Sequence, residues 1–298
     1  MRHTRRCRAR TVGGTGSPVR ATMGGMLRFV GTGASHVGLV RDHNEDAAYS
    51  SPYLALVADG VGGAAAGEVA SATAAYVVAA TTRAHPDDDP VLVLGDAIRR
   101  AVVDLHRGVA LDPERRGMAT TLTALATDGH RVVLAHIGDS RAYLLRDGQL
   151  SRVSHDHTLV QALLDSGDIT AESVRHHPMR NVVMRSLHAG SGDEADLQPD
   201  IHVLDARPGD RFLVCSDGLT DMVEDRAVAH IVSTRDAETA TRDLVQAALD
   251  GGGRDNVTVL VVDLLDDPRT VRLSGDGQLL GALRDPRNVV DPGTLQHP

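Results

Sequence analysis

Four aspartates stand where short carboxylates could do metal chemistry. Asp46 closes the run Arg41-Asp42-His43-Asn44-Glu45-Asp46, and Asp59 follows the apolar run Tyr53–Ala58 and precedes Gly60-Val61-Gly62-Gly63. Asp217 repeats that arrangement behind Phe212-Leu213-Val214-Cys215-Ser216, and Asp255 sits in Gly253-Arg254-Asp255-Asn256, ahead of another apolar run. An aspartate at a strand end projects a rigidly placed carboxylate out of the sheet edge, and a glycine after it lets backbone or ligand approach closely. Several such carboxylates converging make a set of hard oxygen ligands, which suits Mg2+ or Mn2+. Zinc is the weaker fit, because the chain has no Cys pair and no His-Glu-x-x-His. Each Asp-Gly is by itself an ordinary turn signal, so spacing alone does not name a reaction. Arg41 reads either as a solvated surface arginine or as a forked donor for a phosphate group. The 15 histidines are scattered and offer no metal-binding pair on a convincing helix.

The elements that must carry these residues follow from periodicity. Tyr53–Ala58 has strand length, and the alanine-rich stretch Glu68–Ala84 reads as a helix with a buried face. Val91–Ala110 reads as a second helix, with apolar residues at three- and four-residue spacing. The period then changes. Thr120–Thr127, Arg131–Ile137 and Ala142–Arg146 read as strands joined by Asp128-Gly129 and by the Gly138-Asp139 turn. Thr158–Gly167 is a short helix, and residues 168–200 form a polar, irregular insertion. Asp210–Cys215 is a strand, Ala237–Leu249 a helix and Val257–Val262 a last strand. Strands cluster in hairpins and helices come in runs. The pattern predicts antiparallel sheets covered by helices, an α+β layered domain. Residues 1–26 are expected to be a disordered, arginine-rich head, 27–265 the domain, and 266–298 a polar, flexible tail.

Composition narrows the partners. All 31 basic residues are arginine, and the net charge is −9. Residues 1–25 carry six arginines and no acid, which leaves 25 basic against 40 acidic residues beyond them. So acidic a body does not attract polyanions, and six aromatic residues provide no base-stacking platform. Nucleic acid is therefore not expected as a partner. No 18-residue apolar stretch points to a membrane span, and the basic head has no apolar core behind it to make a secretory signal. Cys7 and Cys215 offer neither a disulfide framework nor a thiolate metal site, which fits a reducing, cytoplasmic setting.

Seven segments in order carry a family resemblance: Ser35–Asp46, Val57-Ala58-Asp59-Gly60-Val61-Gly62-Gly63, Met118-Ala119-Thr120-Thr121, Ile137-Gly138-Asp139-Ser140-Arg141, Ser154-His155-Asp156-His157-Thr158, Cys215-Ser216-Asp217-Gly218-Leu219 and Arg254-Asp255-Asn256-Val257-Thr258. Together they resemble the PPM family, the metal-dependent protein phosphatases of type 2C, in the style of its bacterial branch. The resemblance implies a four-layer α-β-β-α sandwich with two packed antiparallel sheets and metals at one end. It implies removal of phosphate from serine or threonine in phosphorylated proteins, in opposition to Ser/Thr kinases, with the help of two, or three, Mn2+ or Mg2+ ions, and the enzyme is expected to be a monomer. It further implies that Asp59 bridges two metals, with the Gly60 carbonyl on one of them, and that Asp217 and Asp255 hold the other. Glu45 and Asp46 would bind metal directly or through water, Asp139 would serve a third ion, and Arg41 would hold the substrate phosphate. The stretch 158–200 resembles a flap that affects substrate choice. One departure is Val61, where many eukaryotic relatives carry a histidine proposed to protonate the leaving group; valine cannot. Two other readings remain: the related branch acting on anti-sigma-factor antagonists, which usually carries sensor domains, and an inactive scaffold, which would typically have lost metal aspartates.

Overall fold

Alternation along the strands sets the layers. The computed structural model describes residues 25–61, 66–190, 197–267 and 277–291. The first elements are β1 (Met26–His36), β2 (Asp46–Ser50), β3 (Leu54–Val61), α1 (Gly67–Ala84) and α2 (Pro90–Leu111). They are followed by β4 (Ala119–Thr120), β5 (Leu122–Thr127), β6 (Val132–Ile137), β7 (Arg141–Arg146) and β8 (Gln149–Arg152). The middle of the chain holds α3 (Leu159–Ser166), α4 (Ala171–Val174), β9 (Leu187–His188), β10 (Asp200–Leu204) and β11 (Arg211–Cys215). The chain then forms α5 (Asp217–Thr220), α6 (Asp225–Thr234), α7 (Ala237–Asp250), β12 (Val257–Asp267) and β13 (Gln278–Gly281).

One sheet has the order β1-β12-β11-β7-β8; the other runs β10-β6-β5-β3-β2-β13, with β4 and β9 extending from the end of β3. The pairings are antiparallel. Phe29, Val57, Leu125, Leu134, Phe212 and Leu260 meet between the sheets, where Phe29 and Phe212 pack edge to face at 6.1 Å. The alternate residues face outward: Leu56 and Leu122 pack under α1 and α2, and Leu213, Val259 and Val261 pack under α6 and α7. Two sheets between two helical layers make the expected α-β-β-α sandwich. Among the described residues no helix is long and apolar enough to cross a membrane.

Helix α1 is buried on every face from Val69 to Thr81, which only small side chains allow. Its outer cover includes a segment that composition marked as tail. β13 pairs with β2, and Leu283, Val289 and Val290 join the same core as α1. The Val290 amide donates to Thr73 Oγ1 at 3.1 Å. The boundary expected at residue 265 therefore falls inside β12, and 278–290 belong to the fold. Their burial is carried by one short strand and two 3-10 turns, which leave no periodic signal. The other part of the expected tail, and the arginine-rich head up to residue 24, lie outside the described residues. Helix α6, rich in charge with Val228 and Val232 buried, was also not anticipated.

Candidate active site

The carboxylates gather where interior positions of both sheets reach the sandwich end. Ala48 and Val57 face the space between the sheets, so Asp46, two residues before Ala48 on β2, and Asp59, two residues after Val57 on β3, face it too. The two are directly opposed in the antiparallel register. On the other sheet, Val214 and Leu260 face the same space, which brings Ser216 and Thr258 inward at its end. Ser216 Oγ donates to Asp46 Oδ2 at 2.7 Å, and Thr258 also bonds that carboxylate. The other oxygen, Asp46 Oδ1, is buried with no hydrogen-bond partner.

Asp59 is fixed through its backbone. Its amide donates to Thr121 Oγ1 and its carbonyl accepts from the Thr121 amide and Thr120 Oγ1, each at 2.9 Å. Thr121 Oγ1 in turn shares a hydrogen bond with Ser140 Oγ at 2.8 Å, so the Thr-Thr and Gly-Asp-Ser segments support one another. Gly60 sits where a Cβ would lie 2.4 Å from the Gly67 carbonyl oxygen and 2.8 Å from that of Glu45; only glycine fits this crossing. The Gly60 amide donates to Glu45 O at 3.1 Å. Gly62 and Gly63 lie outside the described residues.

The loop carrying Arg41 and Glu45 is clamped by a residue to which sequence reasoning gave no role. Asn256 Oδ1 accepts from the Glu45 amide at 2.7 Å, while its Nδ2 donates to the carbonyls of Val37 and His43, each at 2.9 Å. One amide thus ties both ends of residues 37–45 to the start of β12 and sets Asp255 beside them. Arg41 Nη2 reaches Asp255 Oδ2 at 2.7 Å, with both side chains open to solvent. The signal available in sequence was an Asp-Asn pair ahead of a strand, which shows a turn but not what the amide bonds. Ser216 and Thr258 were likewise legible as residues but not as supports.

Asp217 starts α5, and Asp139 sits on the turn after β6 behind Gly138, whose φ is +111°. Arg141, also from that segment, grips Asp156 with Nε and Nη2 at 2.6–3.1 Å. Burial raises the pKa of Asp46 to about 7, against the Ser216 and Thr258 hydrogen bonds. Burial first, then the charge of Asp46, holds Asp59 well above the usual range. Burial and then Asp139 do the same to Asp217. Asp139 itself is pushed up to about 6 by burial and then by Asp156. Glu45 is raised by burial and then by Glu68. These carboxylates crowd one another with Arg41 at their edge, and so much uncompensated negative charge calls for cations.

Among the described residues, no three Asp, Glu, His or Cys side chains are already arranged as a metal cage. Mg2+-type sites do not need one, since they use one or two carboxylates per ion and keep several waters. The hard oxygen donors, the orphaned Asp46 oxygen and the mutual repulsion fit divalent cations on these residues. Cys215 is buried, and burial lifts its thiol to about 12, so it is no nucleophile.

A family model described as Protein phosphatase 2C matches residues 30–251. The chain is 43% identical over 229 residues to the serine/threonine protein phosphatase PstP of Mycobacterium tuberculosis, covering 77% of this chain and 44% of that protein. It thus spans less than half the length of that relative. It is 33% identical over 240 residues to the serine/threonine phosphatase stp of Listeria welshimeri, covering 76% of this chain and 92% of that protein. The structure of the PstP catalytic domain in complex with two manganese ions superposes with a TM-score of 0.72 at 40% identity, over 80% of this chain and 100% of that one.

Proposed function

This chain belongs to the protein phosphatase 2C family, and from that premise we propose that it is a metal-dependent protein serine/threonine phosphatase of the bacterial type. The observation that carries the reading is the crowding of Asp46, Asp59, Asp139 and Asp217 at one end of the sandwich, each with its acidity suppressed by burial and by its neighbours. Two divalent cations, Mn2+ or Mg2+, would supply an activated water and offset charge on the phosphoryl oxygens. Asp59, the Gly60 carbonyl, Asp217 and Asp255 would hold them. Glu45 and Asp46 would bind directly or through water, and Asp139 would hold a third ion. The two manganese ions of the PstP catalytic domain support the reading of a two-cation site.

The protein's own groups orient the rest. Arg41, held by Asp255, presents its free guanidinium nitrogens to the phosphate and stabilises the charge that spreads over its oxygens. Ser216, Thr258 and Asn256 keep Asp46, Glu45 and the Arg41 loop from moving as the phosphoryl group transfers in line to water. No covalent intermediate is required of a thiol as inert as Cys215. Val61 at the end of β3 has no proton to give, so the leaving oxygen takes its proton from water or another group.

We infer that its substrates are phosphoproteins made by Ser/Thr kinases, and that it works as a monomer in the cytoplasm; the relatives' names, the acidic body and the free buried thiol support this. The test is hydrolysis of p-nitrophenyl phosphate and phosphothreonine peptides with Mn2+ or Mg2+, abolished by Asp59→Asn. Turnover in chelator, or full activity of that variant, would refute it.

A further inference from the structure

We propose that Leu39 and Val40 form a rigid apolar shelf beside Arg41 that takes an apolar side chain next to the phosphothreonine or phosphoserine of the substrate. The residue flanking the phosphate then decides which phosphoproteins are dephosphorylated fastest. The inference rests on the phosphate-binding role given to Arg41 above.

Leu39 and Val40 are 65% and 67% exposed, and among the described residues no other two large apolar side chains stand exposed side by side in sequence. Single exposed apolar residues are ordinary on a protein surface, whereas an adjacent pair at the edge of a binding site makes a contact surface. Neither belongs to the buried apolar clusters of the described residues.

The pair is also held still. Gly38, with a φ of +83°, turns the chain where a Cβ would lie 2.3 Å from the Asp255 carbonyl oxygen. The Gly38 amide donates to His36 Nδ1 at 2.9 Å, and the Leu39 amide donates to the Gly253 carbonyl at 2.7 Å. A Cβ on Gly253 would lie 2.8 Å from Leu39 Cγ, so one side of the leucine rests on that glycine while the other stays open. Asn256 then ties down the Val37 and His43 carbonyls on either side of the pair. The shelf is thus ordered before any ligand arrives, and apolar contact made on it goes into affinity.

Position names the occupant. Val40 is next to Arg41 and Leu39 comes one residue earlier, so their Cα atoms stand within about 3.8 and 7.6 Å of the Arg41 Cα. An extended peptide advances about 3.3 Å per residue, so a substrate with its phosphate on Arg41 carries its flanking residues across the same span. A second protein seated on the shelf would cover Arg41 and close the site to phosphate. The substrate is the ligand that fills both places in a productive complex. The shelf carries no charge, so the side chain it accepts is apolar, and a charged one would lose its water there without gaining a partner.

The test is kcat/KM, with Mn2+, for phosphothreonine peptides carrying Leu, Gly or Glu on either side of the phosphoresidue. N-acetyl-phosphothreonine amide, which has no flanking residue, is measured beside them. Wild type should prefer Leu over Gly by about tenfold at one flanking position. The preference should lie mainly in KM, because the shelf touches the ground state and the transition state alike. The double variant Leu39→Ser/Val40→Ser should treat the Leu and Gly peptides within about twofold of one another, and should hydrolyse the blocked phosphothreonine as wild type does, with an unchanged Tm. Val40→Ser alone should reduce the preference to about threefold, and it keeps the test intact if Leu39→Ser loosens the loop. The shelf is overturned if wild type shows no preference for leucine at either flank, if the double variant keeps the preference, or if the blocked phosphothreonine loses as much as the peptides. Sedimentation showing a wild-type dimer that the double variant does not form would assign the shelf to a second copy of the chain and overturn the substrate role. Wild type that hydrolyses no phosphothreonine substrate with Mn2+ overturns the phosphatase reading itself, and this inference with it.

Discussion

Asp46→Asn should make the metal-free protein more stable while removing its response to metal. The folded chain holds Asp46 at a pKa of about 7, raised from 3.8. The folded state therefore binds the proton more tightly than the unfolded state, and stability present below 3.8 is lost as pH rises through 7. At pH 8 the ionised carboxylate costs on the order of 4 kcal/mol, against about 2 kcal/mol at pH 5, where it is largely protonated in the fold. Asparagine is isosteric, and its oxygen can still accept from Ser216 and Thr258, but its amide nitrogen meets the place where Asp46 Oδ1 has no partner. An unpaired buried donor returns about 1–3 kcal/mol of the gain. The net expectation at pH 8 in chelator is a stabilisation of about 1–3 kcal/mol that shrinks or vanishes at pH 5. With Mn2+ at a hundred times its Kd the wild type gains about 2.7 kcal/mol per ion, a gain the variant should largely lose, so the order of stability reverses. Urea unfolding of both proteins at pH 5 and 8, with chelator and with Mn2+, measures all four values. A variant less stable than wild type in chelator at pH 8, or a difference independent of pH, would refute the reasoning.

Other outcomes follow from the same geometry. Arg41→Ala should lower kcat/KM for p-nitrophenyl phosphate by about a hundredfold with little change in Tm, since the Arg41–Asp255 pair is solvent-exposed; steady-state kinetics beside thermal melts decide it. His136, whose pKa burial lowers from 6.5 to about 4, is neutral in the fold, so its contribution is complete above 6.5 and is lost as pH falls through 4. The stability of wild type relative to His136→Gln should accordingly drop by about 3 kcal/mol between pH 7 and pH 4, read by denaturant titration at each pH. Leu283→Ala should destabilise by about 2–4 kcal/mol because Leu283 is buried against α1; an unchanged urea midpoint would show that this segment is not part of the core.

What was legible in the sequence divides by range. Alternation and helical spacing placed β3, β5, β6, β7, β11, α1, α2 and α7 because each buries a regular face, and a regular face leaves a period. The segment around Leu283 and Val290 did not announce itself, because 3-10 turns bury single residues without repetition. In the site, the aspartates stood out through the strand-then-glycine context that places them. Asn256 did not, because its work is three bonds to backbone more than 200 residues away in sequence, which no local pattern encodes. His157 reads as a loop histidine for the same reason: its partners at Gly138, Met184 and Asp200 meet only when the flap closes on the β6–β7 turn.

The division explains how one end of this fold can be strained while the remainder is secure. The interior face of the sheet that holds β2 and β3 is apolar up to its end and then turns acidic, with Asp59 two residues after Val57 and Asp46 two residues before Ala48. The core that drives folding thus delivers the carboxylates into a place where they repel one another. Groups to hold them are drawn from uncharged side chains, Ser216, Thr258, Thr121 and Asn256, which fix position without neutralising charge. An arginine or lysine in those places would have relieved the repulsion and made the metal-free protein more stable, and it would also have competed with the cation for the same oxygens. The neutral supports therefore keep the charge available to cations at the expense of stability in their absence.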